Sequence, residues 1–332
     1  MQPVNLAIVG LGFMGMTHAR AAGKLDNVRL AAVVEPNEKK RNGDLRDVGG
    51  NLGTPGELMD FSRVAKYARI EDALADPAID AVDICLPTDL HAPTALAALR
   101  AGKHVLVEKP LALTAADANE VVSEAERLGR ILMTGQVLRF SPTYGEAARM
   151  VRSGELGAIQ MSWFRRHCAK PSWGGWLMNP SRSGGGIFDL LIHDVDFAVW
   201  LFGEPASIAA AGSGGLIAAT FHYANASPVV IEGGWHAQGP YPFGMSFTIV
   251  GEKGTLEFSS GGRPLTLSRA GAEATELVPL PLADGFEEEL RYFADCVASN
   301  RQAEKCPPRE SAIAVKVALS MLEARANTAA KG

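Results

Sequence analysis

The chain has 332 residues, 47% of them hydrophobic and 21% charged, with a formal net charge of −5. That length exceeds one ordinary core and predicts two domains. The acidic balance excludes nucleic acid and an anionic membrane as main partners, and no apolar run reaches membrane-spanning length, because the charge-free stretch 205–231 is interrupted by Gly, Ser, Asn, His and Pro. Cys85, Cys168, Cys296 and Cys306 show no metal or redox spacing and read as reduced thiols. With a first strand starting within a few residues of Met1 and no room for a signal peptide, a cytoplasmic location is expected.

Residues 5–9 form a strand that runs into Gly10-Leu11-Gly12-Phe13-Met14-Gly15. This is G-x-G-x-x-G at a strand-to-helix turn, the context in which the motif carries meaning. Gly10 allows the tight turn, Gly12 lets the backbone approach a pyrophosphate, and Gly15 lets the helix pack closely on the strand. Phe13 and Met14 open the helix, whose N-terminal N–H groups and partial positive charge suit phosphates. A second strand, 29–35, ends in Glu35, 20 residues past Gly15. An acid there accepts hydrogen bonds from the adenosine ribose and repels a 2′-phosphate, so NAD is expected over NADP. The competing signal is Lys39, Lys40 and Arg41, which could neutralise a phosphate if Glu35 pointed away.

A glycine-rich loop at 49–56 precedes three more strand–helix units: 64–67 with 70–75, 81–86 with 92–101, and 104–108 with 115–128, the last capped by Thr114. A strand at 131–134 closes the set. Strands alternating with helices at this spacing predict a doubly wound parallel sheet. Ligands of such sheets bind beyond the carboxyl ends of the strands. Pro87, Thr88 and His91 lie at one such end, although a histidine at a helix start is commonly a surface residue. The segment 104–110, His-Val-Leu-Val-Glu-Lys-Pro, places Glu108 and Lys109 at another, where Pro110 stops the strand.

The alternation stops after Gly135, so the domains are read as 1–135 and 136–332. A helix near 143–152 leads to a strand at 158–166 and a loop rich in Trp, Pro and Gly. The next helix, 187–202, carries Asp189, His193 and Asp196 at spacings of four and three, hence on one face, a pattern that is usually solvated. Strand-like segments from 206 to 258 predict an antiparallel sheet, and helices near 286–299 and 309–327 end the chain. Strands without charge between 205 and 231 predict a sheet covered on both faces, the second time by another subunit in a homodimer or homotetramer. No H-E-x-x-H or comparable spacing occurs, so no metal is expected.

Gly10–Gly15, Glu35, Pro87…His91, Glu108-Lys109-Pro110, Arg139-Phe140-Ser141-Pro142 and the segment 184–196 with Asp189, His193 and Asp194 resemble the glucose–fructose oxidoreductase / inositol dehydrogenase (Gfo/Idh/MocA) family over nearly the whole chain. Residues 44–62 look longer than is usual there. The resemblance implies a Rossmann domain followed by an α+β domain with a large open-faced, mainly antiparallel sheet, and nicotinamide-dependent oxidation of sugars, sugar acids or cyclic polyols. It carries over Lys109, Asp189 and His193 as the catalytic set. His193 suits a general base, Asp189 can orient it, and Lys109 can stabilise the developing alkoxide, although Lys109 could itself be the base. The loop after residue 163 offers Arg165, Trp173 and Trp176 to a sugar ring, whereas Trp163, inside a strand, reads as core. Two other functions fit this pattern: a non-catalytic NAD-binding regulator, and a hydrolase or epimerase that oxidises its sugar transiently.

Overall fold

Six strands, β1 (Val4–Val9), β2 (Val28–Val34), β3 (Ala65–Tyr67), β4 (Ala81–Ile84), β5 (His104–Glu108) and β6 (Leu132–Gly135), form an all-parallel sheet in the order β3-β2-β1-β4-β5-β6. The computed structural model describes residues 2–50, 55–172, 174–236, 239 and 241–329. Helices α1 (Phe13–Ala22), α2 (Glu38–Arg41), α3 (Ile70–Leu74), α4 (His91–Arg100) and α5 (Ala115–Leu128) connect the strands. Both faces are covered, so the central strands are buried throughout: every residue of β4 is inaccessible, Asp83 included. The order reverses between β1 and β4, which opens a crevice at their carboxyl ends. Strand β5 and helix α5 fall where the sequence puts them, and the Thr114 hydroxyl accepts the Asp117 N–H at 3.0 Å. Leu45, Val48 and Phe61 are buried in the core of this unit.

The chain divides into two units, Met1–Phe140 with Ala283–Ala312, and Ser141–Leu282 with Ile313–Gly332. The return of 283–312 to the first unit departs from a second domain running unbroken from 136. Its cause is α9 (Gly285–Ala298), whose buried Leu290, Phe293, Ala294 and Cys296 join the core formed by Leu6, Ile8 and Met16. Asp284 caps that helix by accepting the N–H groups of Phe286 and Glu287.

The second unit is an eight-stranded mixed sheet, β14-β13-β12-β11-β7-β10-β9-β8, with helices on one face. Its strands are β7 (Ile159–Ala169), β8 (Ser207–Ala211), β9 (Leu216–His222), β10 (Val229–His236), β11 (Gly244–Gly251), β12 (Gly254–Ser259), β13 (Arg263–Arg269) and β14 (Glu276–Leu277). The β7–β10 pairing is parallel and the others are antiparallel. Helices α6 (Pro142–Arg152), α7 (Pro180–Ser183), α8 (Gly185–Phe202) and α10 (Pro308–Ala329) complete the chain. Among the described residues no helix is long and apolar enough to cross a membrane.

Alternation along β7 decides which residues meet α8. Ser162, Phe164, Arg166 and Cys168 are buried on the helix side, where the Phe164 and Phe197 rings lie 5.0 Å apart. Trp163 and Arg165 face the other way. Trp163 is 41% exposed, which corrects its reading as core: being in a strand does not say which face is covered. Arg166 gives two hydrogen bonds to Asp194 of α8, from Nε at 2.7 Å and from Nη2 at 3.3 Å, with both side chains buried. Burial pushes the Asp194 carboxyl up in pKa, and Arg166 opposes the shift. Removing one partner strands a buried charge, at about 3–5 kcal/mol. Urea denaturation should therefore show Arg166→Met and Asp194→Leu each strongly destabilised, with the double variant recovering much of the loss. Additive losses would contradict the pairing.

Candidate functional site

At the crevice between β1 and β4 the glycines divide their tasks by geometry. Gly10 has φ +93°, and a Cβ on it would lie 2.8 Å from the Cys85 carbonyl oxygen. A Cβ on Gly15 would lie 1.9 Å from the Gly10 oxygen, so only glycine lets α1 approach β1 this closely. Gly12 differs: nothing lies within 4 Å of the Cβ position, and its backbone is extended at φ −82°. Helix α1 has no side-chain cap and no acid in its first turn, which leaves the N–H groups around Phe13 and Met14 facing that space. Glu35, at the end of β2, is buried, and its carboxylate accepts the N–H of Leu11 at 2.9 Å and of Asn37 at 3.0 Å. Two of the three neighbouring cations are engaged elsewhere. Arg41 donates to the carbonyls of Glu35 and Pro36, while Lys39 pairs with Asp47 at 2.5 Å.

Across the crevice, Pro87 and buried Thr88 follow β4. His91 is 1% exposed, so the common alternative for a histidine at a helix start, a surface residue, does not hold here. Its Nδ1 lies 2.7 Å from the Pro110 oxygen and its Nε2 2.8 Å from the Leu86 oxygen, so the ring clasps the chain beyond β4 to the chain beyond β5. Burial pulls its pKa down, and the two carbonyls pull the other way. Glu108 is buried and accepts the backbone N–H of Lys109 at 3.0 Å, and Lys109 is half-buried at the strand end.

Sequence reasoning missed what lies beneath. His18 of α1 is fully buried, with Nδ1 2.8 Å from Asp83 Oδ2 and Nε2 3.3 Å from Glu108 Oε1. Glu289 of α9 is also fully buried beside them. A signal for His18 existed: it stands three residues after Gly15 and four before Ala22, on the sheet-facing stripe of α1.

In the second unit, α8 is buried along most of its circumference. Asp189 and His193, one turn apart, are half-buried, whereas Asp196 is inaccessible, so the polar face is narrower than the spacing implies. Phe188, Leu191, Ile192, Val195 and Val199 are buried as the pattern requires. Trp176 packs with Leu177, Leu190 and Trp235 on the α8 side of the sheet. Arg165 lies on the opposite face, paired with Glu232 at 2.6 Å, and is not brought to the side that carries Asp189 and His193. Trp173 lies outside the described residues.

Comparison with known proteins decides the family. Residues 4–136 match the model of the oxidoreductase family with an NAD-binding Rossmann fold, and residues 144–257 match the GFO/IDH/MocA C-terminal domain. The chain belongs to the GFO/IDH/MocA oxidoreductase family. It is 31% identical over 282 residues to a 1,5-anhydro-D-fructose reductase of Ensifer adhaerens, covering 77% of this chain and 85% of that protein. The match to a myo-inositol 2-dehydrogenase of Thermotoga maritima is 29% identical over 202 residues, 60% of this chain and only 55% of that protein. The fold is shared with a levoglucosan dehydrogenase in complex with NADH and levoglucosan, at a TM-score of 0.85, 21% identity and 98% coverage of each chain.

The donor set of this GFO/IDH/MocA protein fits a dinucleotide: open space at Gly12, uncapped helical N–H groups and an acid at the end of β2. Gly12→Ala separates folding from binding. Its methyl group meets no protein atom but enters the phosphate space. The variant should melt within a degree or so of the parent while calorimetry shows NAD binding weakened by about tenfold or more. Unchanged affinity would show that the backbone here does not carry the pyrophosphate.

Proposed function

We propose that the protein is an NAD-dependent oxidoreductase that transfers hydride between nicotinamide and a secondary alcohol of a sugar, sugar acid or cyclic polyol. The observation that carries this reading is the open cradle at Gly12, set where the strand order reverses and flanked by Glu35. Support for the substrate class comes from the relatives, named for an inositol, an anhydrofructose and levoglucosan. Nicotinamide, when bound, accepts or returns the hydride. The protein's own groups manage the proton and the developing charge: His193 takes the hydroxyl proton, Asp189 one turn away orients it, and Lys109 stabilises the alkoxide oxygen. Trp176 offers flat apolar surface to a ring. Preference for NAD over NADP follows from Glu35, whose carboxylate is fixed by two backbone N–H groups while Lys39 and Arg41 are held by other partners.

A panel of inositols, aldoses, sugar acids and nucleotide sugars, followed by NADH absorbance and product analysis, tests this directly. Lys109→Ala and His193→Ala should each lower turnover by about 10²–10⁴-fold with NAD still bound. Glu35→Ala should narrow the gap between NAD and NADP binding. Activity confined to acyclic alcohols, or equal affinity for the two cofactors in the parent protein, would overturn the corresponding part. Turnover without net NADH would move the reading to transient oxidation.

We further propose that a second copy of the chain covers the helix-free face of the eight-stranded sheet. On β8 and β9 that face carries Ser207, Ala209, Ala211, Leu216, Ala218, Thr220 and His222, with no Asp, Glu, Lys or Arg, and all but Thr220 are exposed. Trp163 adds a large exposed ring. A water-facing antiparallel sheet ordinarily carries charge there. Light scattering at micromolar concentration should show a dimer or larger, and Ala218→Glu should dissociate it. A monomeric parent protein would rule the idea out.

A further inference from the structure

Beneath the carboxyl ends of β4 and β5 lie more ionisable groups than a buried site tolerates without function or compensation. Asp83 comes from β4, Glu108 from β5, His18 from α1 and Glu289 from α9, and all are 5% exposed or less. Cys85 stands beside them, its sulfur 3.6 Å from Asp83 Oδ1 and 3.7 Å from His18 Nδ1, and the Phe286 ring covers the histidine at 5.9 Å. The two nitrogens of His18 face different carboxylates, Asp83 at 2.8 Å and Glu108 at 3.3 Å. Nδ1 is hydrogen-bonded to Asp83, whereas Nε2 makes no hydrogen bond among the described residues and meets Glu108 at ion-pair distance; two carboxylates against one ring favour its charged imidazolium form. The second Glu108 oxygen takes the Lys109 backbone N–H.

We propose that His18 is a positioning residue for Lys109: a buried imidazolium that ties Glu108 to Asp83, so that Glu108 in turn holds the peptide of Lys109 at the rim of the crevice. The proposal rests on the reading of Lys109 as the residue that meets the reacting oxygen. The electrostatics agree with the geometry. Burial pulls the His18 pKa down, but Asp83 and Cys85 together outweigh it and leave the value well above the usual one. Burial pushes the Glu108 carboxyl up, and His18, with Lys109 and His91, brings it below the usual range. Burial, with Glu108 and Asp83 nearby, drives the Glu289 carboxyl well up, which favours its neutral form. Among the described residues no group hydrogen-bonds to either Glu289 oxygen. Burial likewise raises the Cys85 thiol, which keeps it neutral. What remains is one positive charge between two negative ones.

The two shifts have a defined sign for stability. His18 binds its proton more tightly folded than unfolded, so its contribution is complete below pH ~6.5 and is lost as pH rises through the folded value. Glu108 contributes above its unfolded value and is lost in acid. The support is therefore complete between these limits, where both charges are present.

Two measurements test the proposal, and the first needs no substrate. Side-chain nitrogen NMR of the full chain with NAD should show one histidine, absent in His18→Gln, with both ring nitrogens still protonated at a pH where an ordinary histidine is neutral. With lysines carrying ¹³C-methyl groups, the resonance missing in Lys109→Ala should shift in His18→Gln while other lysine resonances stay. A neutral His18, an unmoved Lys109 resonance, or a metal ion held one per chain at these side chains overturns the proposal. The second measurement uses NAD and myo-inositol, or whichever polyol of the panel turns over. His18→Gln should lower kcat by about tenfold with little change in the KM for NAD, and should add nothing further in the Lys109→Ala background. Additive losses would mean general structural damage and overturn the positioning role. Wild-type turnover in Lys109→Ala would instead overturn the proposed function, a separate outcome.

Discussion

The close approach of α1 to β1 is the constraint on which the first unit depends. A side chain at Gly15 would collide with the Gly10 oxygen, and one at Gly10 with the oxygen of Cys85, so any substitution lifts the helix or opens the turn. The same approach serves two ends of one helix. Its uncapped N-terminus offers N–H groups to a phosphate, and its second turn delivers His18 to Asp83 and Glu108. The 2.8 Å hydrogen bond to Asp83 leaves little slack, since a hydrogen bond weakens steeply once its partners part by more than a few tenths of an ångström, while Glu108 stands at ion-pair distance, 3.3 Å. The glycines thus fix more than the cofactor cradle. They set the height at which a charged ring meets the ends of the central strands.

In the second unit the corresponding constraint is the Arg166–Asp194 pair. A helix turns about 100° per residue, so fixing Asp194 toward β7 also fixes where its neighbours point. His193 is turned about 100° away and Asp189 lies within about 40° of His193. The two half-buried residues therefore share a direction that Asp194 does not. An apolar contact at 194 would allow small rotations of α8, whereas two hydrogen bonds from a planar guanidinium do not. Buried ion pairs are weak evidence for stability, and this one is better understood as setting the rotation of a helix.

The two constraints were unequally legible in the sequence. The glycine turn, strand β5 and helix α5 were readable because each is decided locally: a glycine spacing, a short β-branched run ended by Pro110, an apolar stripe behind Thr114. The buried charges were not, because their partners are distant. His18 meets residues 65 and 90 positions on, and Arg166 meets Asp194 28 positions on. An acid within the apolar run of β4 and a histidine on the inner stripe of α1 were visible as anomalies, but nothing in their spacing joined them. The open face that exposes Trp163 and the docking of α9 into the first core were hidden for a related reason. Periodicity shows that a face is apolar without saying what covers it.

Cofactor choice brings these levels together at one carboxylate. Three basic residues follow Glu35 within six positions, so the composition near the ribose end would suit a 2′-phosphate as well as a hydroxyl. The proposed choice of NAD rests on how these side chains are hydrogen-bonded. The carboxylate of Glu35 is held by two backbone N–H groups, which fixes its direction at little entropic cost, while Arg41 is folded back onto carbonyl oxygens and Lys39 onto Asp47. Recruiting Lys39 or Arg41 to a phosphate would require breaking those contacts, and any phosphate would have to overcome the acid's repulsion. On the proposed reading, a shift toward NADP would begin with removal of Glu35, since adding a cation alone would leave the repulsive carboxylate in place.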